Sequence, residues 1–208
     1  MTTFLFIRHA LCDPVGRSIA GRAPGVHLNA SGRAEAEALA KRLSGLRMAA
    51  VYSSPLERAL ETADPIAALQ GLRTQIAPGF TEIDFGEWTG KTLAELDHLP
   101  EWKAFNSFRS GARIPNGEST GDVLARALAE LDRLGKAHSG PGELVGVVSH
   151  GDVLRAVIAH FLGIPADLFQ RIELSPASVS VLSLEDQGPR LLVLNSTAGW
   201  PDRLGLSG

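Results

Sequence analysis

The sequence has little sulfur, with one cysteine, Cys12, among 208 residues. A single thiol cannot form an internal disulfide, which argues against a secreted scaffold held by disulfides. The first residues, MTTFLFIRHA, lack the basic start and the long apolar core of a signal peptide. No apolar run approaches the roughly 20 residues that a membrane-spanning helix needs. We therefore expect a cytoplasmic protein with no membrane partner.

The chain also lacks a strong charge of either sign. Its 20 basic and 23 acidic residues leave a formal net charge of -3. That value is too small to indicate a nucleic acid partner, so any anion-binding surface must be local. Because the hydrophobic content of 44% is close to the average for globular proteins, a sizeable core can form. We expect a single domain over residues 1–208.

The common nucleotide and hydrolase motifs are missing. The sequence contains no Gly-rich dinucleotide fingerprint, no Walker phosphate loop, no His-Glu-x-x-His pair and no Gly-x-Ser-x-Gly elbow. Histidines at strand ends can bind zinc, but zinc takes three or four ligands, and no Cys/His cluster has ligand spacing. We expect neither a metal nor a cofactor.

Strand-like and helix-like patterns alternate along the chain. Strands are predicted at residues 4–8, 49–53, 74–76, 143–149, 178–184 and 190–195. Helices are predicted at residues 29–46, 56–69 (with a kink or break at Pro65), 119–137 and 152–162. Residues 79–117 form an irregular excursion, with a helical turn at 92–96, that is expected to cover a substrate. The pattern predicts a three-layer α/β/α sandwich with a mostly parallel sheet, helices on both faces and an antiparallel edge.

Three predicted strands end on polar pairs. These pairs are Arg8-His9, Ser53-Ser54 and Ser149-His150. Ligands of open α/β sheets bind beyond the carboxyl ends of the strands. The three strand ends are therefore predicted to converge on one crevice.

Four motifs in order carry a resemblance to a known family. They are IRHA at 7–10, YSSPLERALETA at 52–63, TEIDFGEW at 81–88 and VVSHGDVLRA at 147–156. Together they resemble the histidine phosphatase superfamily, which has the phosphoglycerate mutase-like fold. The resemblance runs from residue 4 to about residue 162 and includes PNGES at 115–119.

The resemblance implies a role for each of five residues. His9 would attack phosphorus and form a phosphohistidine. Arg8, Arg58 and His150 would bind the phosphate, and arginine suits this task because its planar fork donates two hydrogen bonds at once. Glu82 would protonate the leaving oxygen and later deprotonate water, a role that needs a raised pKa.

Some neighbouring residues compete for these roles or have simpler explanations. Asp84 is the main rival of Glu82 as the acid. Trp88 and Trp102 could line the pocket, although core packing is favoured. His160 lies in an apolar helical pattern, which predicts a packed core histidine.

The stretch after Arg8-His9 departs from the family pattern. Ala10 stands where the family has glycine, and no asparagine follows before Asn29. The phosphate contact that the family asparagine makes is therefore missing or supplied by Arg17, Ser18 or Arg22. The position of Arg22 is often basic in the family, so we expect Arg22 to bind substrate.

Three activities fit the motifs. A phosphatase lets water attack the phosphohistidine, a cofactor-dependent phosphoglycerate mutase returns the phosphoryl group to a second oxygen, and a regulatory protein would only bind phosphate. Mutases carry extra helical sequence between the acid and the second histidine, whereas here that interval is 150 - 82 = 68 residues. We therefore predict a metal-independent phosphomonoesterase whose partners are a small phosphorylated metabolite and water. Sugar phosphates, nucleotides, a cobalamin-pathway phosphate and phosphoproteins all remain open as substrates.

Overall fold

A six-stranded sheet organises the computed structural model, which describes residues 2–185 and 187–198. The domain predicted over residues 1–208 extends beyond this description. The strands are β1 (Thr2–Arg8), β2 (Ala50–Ser53), β3 (Thr74–Ile76), β4 (Glu143–Ser149), β5 (Val179–Glu185) and β6 (Gly188–Ser196). Their order across the sheet is β3-β2-β4-β1-β5-β6. The first four strands in this order are parallel, and β5 and β6 run antiparallel at one edge.

Six α-helices connect and cover these strands in the described part of the chain. They are α1 (Ala30–Leu43), α2 (Glu57–Leu69), α3 (Leu93–Leu96), α4 (Pro100–Ser107), α5 (Thr120–Ala137) and α6 (Gly151–Phe161). None of the helices in residues 2–185 and 187–198 is long and apolar enough to cross a membrane.

The central strand β1 shows why helices lie on both faces of the sheet. Side chains of a strand alternate between the two faces. Phe4 and Phe6 accordingly pack in one core cluster with α5 and α6, whereas Leu5 and Ile7 pack in a second cluster with α1 and α2. This arrangement confirms the predicted α/β/α sandwich with its antiparallel edge.

Helix α2 continues through Pro65 to its end at Leu69. Of the kink or break predicted at this proline, the break is therefore wrong. Proline removes one backbone hydrogen bond of a helix. Burial of neighbouring side chains such as Ala63 and Ile66 against the sheet keeps the segment helical despite that loss.

The excursion of residues 79–117 contains an aromatic cluster. The ring of Trp88 lies 5.3 Å from that of Trp102 and 5.4 Å from that of Phe105, between centroids. Trp88 is fully buried, so core packing, the favoured interpretation, is confirmed for it. Helix α4, which supplies two of these rings, was not predicted because its pattern spans barely two turns. His160 was predicted to be a packed core histidine. It is exposed on α6, so that prediction is wrong.

Candidate active site

The ends of β1 and β4 bring two histidines together. The strands are parallel neighbours with Arg8 paired to Ser149, and the His9 amide donates to the Ser149 carbonyl at 2.9 Å. A histidine directly follows each strand. The rings of His9 and His150 lie 5.2 Å apart between centroids, about the spacing of adjacent strands. Two of the three predicted strand ends thus converge.

The end of β2 adds a serine and an arginine to this site. The Ser54 amide donates to the Val148 carbonyl at 2.9 Å, which places the Ser54 hydroxyl 2.7 Å from Nε2 of His150. Helix α2 begins three residues later, and Arg58 lies in its first turn. Arg58 is only 2% exposed, and its Nη2 donates to the Gly21 carbonyl at 2.8 Å.

Three buried nitrogens of the site have no hydrogen-bond partner in the described part of the chain. They are Nε of Arg8, Nη1 of Arg58 and Nδ1 of His150. Arg8 is anchored through Nη1, which donates to the Leu174 carbonyl at 2.5 Å. Buried polar groups are nearly always hydrogen-bonded, and a buried cation needs a counter-charge. The free N–H groups of the two arginines are donors of the kind that phosphate oxygens accept from.

His9 has the protonation state of a nucleophile. Its Nδ1 lies 2.7 Å from the Ala10 carbonyl, a contact that requires the ring proton on Nδ1 and leaves a lone pair on Nε2. Burial, together with the nearby positive charges of Arg58 and Arg8, lowers the pKa of His9 to about 3. The imidazole is therefore neutral at physiological pH.

Glu82 has the properties of an acid/base group. Its side chain is 13% exposed, and its Oε2 lies 3.9 Å from Nδ1 of His150. Burial and the negative charge of Asp152 raise the pKa of Glu82 to about 7. A carboxyl group that is half protonated near neutrality can both donate and accept a proton. The rival Asp84 is more exposed, at 43%, and its Oδ1 accepts from the Gly86 amide.

The raised pKa of Glu82 predicts that stability depends on pH. Between the usual value of 4.5 and about 7, the unfolded chain loses the proton while the folded chain keeps it, so the free energy of unfolding falls as pH rises through this window. The loss reaches up to about 3 kcal/mol. Glu82→Gln should remove most of this fall, and urea unfolding at pH 5 and pH 8 measures it. An unchanged pH dependence in the variant would contradict the burial argument.

Arg22, which was predicted to bind substrate, contacts protein groups beside the cavity. Its Nε donates to the Glu82 carbonyl at 2.8 Å, and its Nη2 lies 2.8 Å from Oε2 of Glu118. Among the described residues, those that line the cavity do not include Arg22. Of the other two candidates for the missing asparagine contact, Ser18 lines the cavity.

A buried ion cluster beside Glu82 was not predicted from the sequence. Asp152, on the first turn of α6, binds Nη1 of Arg109 at 3.0 Å and Nη1 of Arg155 at 3.1 Å. Burial opposes ionisation of Asp152, but the two arginines outweigh it and hold its pKa below the usual range. The one sequence feature that could have indicated this cluster is the i, i+3 spacing of Asp152 and Arg155, directly after His150-Gly151.

These groups surround a cavity of about 170 Å³. Its lining includes His9 and the charged residues Arg8, Arg58, Glu82, Asp152 and Arg155, whereas His150, behind His9, is not among the described residues that line it. The other lining residues are largely apolar and include Cys12, Pro14, Val15, Ile19, Phe85 and Leu93. Within residues 2–185 and 187–198, no group of three or more His, Cys, Asp or Glu side chains is placed to hold a metal ion.

Comparison with known proteins gives similar sequences and similar solved structures. A phosphoserine phosphatase 1 of Hydrogenobacter thermophilus is 32% identical over 206 residues, covering 95% of this chain and 93% of the relative. A metal-independent phosphoserine phosphatase of Arabidopsis thaliana is 36% identical over 195 residues, covering 90% of this chain and 78% of the relative. A solved mycobacterial glucosyl-3-phosphoglycerate phosphatase superposes with a TM-score of 0.85 at 27% identity, covering 93% of this chain and 98% of that one.

The profile of the histidine phosphatase superfamily, branch 1, matches residues 4–197. That range contains all four motifs on which the resemblance was based and every side chain described at the crevice. The resemblance is therefore confirmed, and the chain belongs to the histidine phosphatase superfamily (branch 1).

Proposed function

We propose that this chain hydrolyses a small phosphorylated metabolite through a phosphohistidine on His9, without a metal ion. The chain is an enzyme that acts on phosphomonoesters, as its family and its phosphatase relatives indicate. The observation that carries the mechanism is the set of three buried nitrogens without a partner, on Arg8, Arg58 and His150, beside the neutral ring of His9; the proton of His150 is assigned to Nδ1, with Nε2 accepting from the Ser54 hydroxyl. Such preorganised donors stabilise the negative charge of a transferring phosphoryl group.

The first step forms the phosphoenzyme. The lone pair on Nε2 of His9 attacks phosphorus in line with the ester oxygen, and the phosphorus–oxygen bond to the alcohol breaks. Glu82 gives its proton to the departing oxygen, so the alcohol leaves neutral. A pKa of about 7 supplies the protonated form at physiological pH.

The second step releases phosphate. Glu82, now a carboxylate, takes a proton from water, and the water oxygen attacks phosphorus. The nitrogen–phosphorus bond breaks and returns its electron pair to Nε2 of His9. Inorganic phosphate leaves, and Glu82 is protonated again. Dividing the hydrolysis into two displacements is the usual gain from covalent catalysis.

The cavity and the relatives both support a compact substrate. A volume of about 170 Å³ is below the range of roughly 300–1,000 Å³ that is typical of drug-sized ligands. Relatives include two phosphoserine phosphatases, and a solved neighbour acts on glucosyl-3-phosphoglycerate. We propose L-phosphoserine and similar phosphorylated hydroxy acids as the first substrates to test. A cytoplasmic setting, where such metabolites are made, suits a chain with one buried free thiol.

A panel of phosphorylated metabolites with EDTA present tests this function. We expect release of inorganic phosphate from at least one small phosphomonoester, with kcat/KM unchanged by the chelator. Transfer of the phosphoryl group between the 2- and 3-positions of phosphoglycerate, without net release of phosphate, would favour the mutase instead. Loss of activity in EDTA that added metal restores would contradict the metal-independent mechanism.

A further inference from the structure

Two arginines hold the backbone of the acid residue. The Glu82 carbonyl accepts from Nε of Arg22 at 2.8 Å and from Nη2 of Arg126 at 3.1 Å. Arg126 projects from α5 and also donates through Nη1 to the Gly79 carbonyl at 2.8 Å. The peptide that carries Glu82 is thus fixed from two different segments of the chain.

Glu118 joins the two arginines. Its Oε2 lies 2.8 Å from Nη2 of Arg22 and 3.0 Å from Nη2 of Arg126, and its Oε1 lies 2.9 Å from Nε of Arg126. Oε2 also accepts from the Asp84 amide at 3.0 Å. Burial opposes ionisation of Glu118, but these hydrogen bonds outweigh it and hold its pKa below the usual range. Every hydrogen-bond partner of this carboxylate in the described part of the chain is a donor, so an amide cannot replace it without its NH2 group facing at least one donor.

The loops on either side leave little room for adjustment. Gly86 has a φ of +44°, and a Cβ placed there would lie 2.2 Å from the Pro115 carbonyl oxygen. A Cβ on Gly117 would lie 2.4 Å from the Asp84 carbonyl oxygen. The segment around Glu82 therefore packs backbone to backbone against the segment that carries Glu118. This contact relates the sequence motifs TEIDFGEW and PNGES, which lie apart along the chain.

We propose that Glu118, acting through Arg22 and Arg126, is a positioning residue that sets the place of the Glu82 carboxyl group relative to the ester oxygen. The inference rests on the proposed acid role of Glu82. In this proposal Arg22 holds the Glu82 backbone and does not bind the substrate. Proton transfer needs heavy atoms within about 3 Å, so a small displacement of the carboxyl group is costly.

The test uses the leaving group, because general-acid catalysis matters only when the departing oxygen needs a proton. The parameter kcat/KM reports formation of the phosphoenzyme. For an alkyl phosphate such as L-phosphoserine, or the best alkyl substrate of the panel, Glu118→Gln should lower kcat/KM by about 10- to 100-fold. For 4-nitrophenyl phosphate, whose phenolate departs without protonation, the loss should be within about threefold.

Two variants complete the comparison. Glu82→Gln should also lower kcat/KM more for the alkyl phosphate than for 4-nitrophenyl phosphate, and by a larger factor than Glu118→Gln does. Glu143→Gln removes another carboxylate that contacts a nitrogen-bearing side chain, that of His138, at the opposite end of β4, and should leave both substrates unaffected. If Glu82→Gln slows both substrates equally, the acid assignment fails. If Glu82→Gln is selective and Glu118→Gln slows both substrates equally or neither, the positioning role is overturned.

Arg22→Met keeps the proposal testable if Glu118→Gln does not fold. It removes one of the two hydrogen bonds to the Glu82 carbonyl and leaves Arg126 in place. A positioning role predicts a loss of kcat/KM that is confined to the alkyl phosphate. A rise in KM of similar size for both substrates would instead indicate direct substrate binding by Arg22 and would contradict the inference.

Discussion

Replacing His9 by alanine is expected to reduce kcat/KM by about 10⁴-fold or more, because no other group can take the phosphoryl group in the first step. His9 is buried and neutral, and its Nδ1 donates to the Ala10 carbonyl. The lone pair of Nε2 is therefore available to attack phosphorus. The measurement is steady-state hydrolysis of the best substrate of the panel. Binding of inorganic phosphate should persist, since Arg8, Arg58 and His150 remain.

His160→Ala is the matched control for this variant. His160 also lies on an element beside the active site, but it is exposed at the far end of α6. Surface substitutions usually change stability little. Removal of this side chain should therefore leave the fold intact and kcat/KM within about twofold of the starting value. Retention of more than a tenth of the activity by His9→Ala would mean that water attacks phosphorus directly, and the covalent mechanism would be wrong.

Replacing Arg58 by methionine is expected to lower kcat/KM by about 10³-fold, the cost of removing one strong preorganised donor from a buried anion site. Methionine keeps much of the length and the apolar contacts of the side chain, so the change mainly removes charge and hydrogen bonding. Arg58→Lys should recover only part of the activity. A single ammonium cannot both hold the Gly21 carbonyl and reach a phosphate oxygen as the guanidinium fork can.

Inhibition by inorganic phosphate separates the causes of this loss. If Arg58 binds the phosphoryl group, the inhibition constant should rise in Arg58→Met along with the fall in kcat/KM. Arg133→Met, which removes an exposed arginine paired with Glu130 on α5, should change neither quantity. An unaltered inhibition constant in Arg58→Met, with a normally folded variant, would contradict the phosphate-binding role.

The sequence carried enough information to predict the layered fold and the crevice. The crevice could be predicted from Arg8-His9 and Ser149-His150 without knowledge of long-range contacts. The carboxyl ends of neighbouring parallel strands lie at the same edge of the sheet. The register of β1 with β4 then determines the distance between the two histidines. Local patterns were thus sufficient for both the sheet and the strand ends.

Features that depend on tertiary contacts could not be predicted in this way. A guanidinium such as that of Arg22 can face a substrate or a neighbouring carbonyl, and only the packing of the loops around Gly86 and Gly117 decides between them. Helix α2 continues past Pro65 because sheet contacts compensate for the lost hydrogen bond. The partners of Asp152, which include Arg109, come from a segment 43 residues away, so their ion cluster has no local signature beyond the spacing to Arg155.

Transfer of a phosphoryl group to His9 is the claim on which the mechanism depends, and rapid quenching of the reaction without acid tests it directly. The enzyme is mixed with excess substrate labelled in the phosphoryl group, denatured in base within milliseconds and digested for mass spectrometry. The account predicts an acid-labile, base-stable phosphoryl group on His9, and more of it in Glu82→Gln with 4-nitrophenyl phosphate, because that variant lacks the base for the second step. Turnover that proceeds with no label on His9, or with label on another residue, would contradict it.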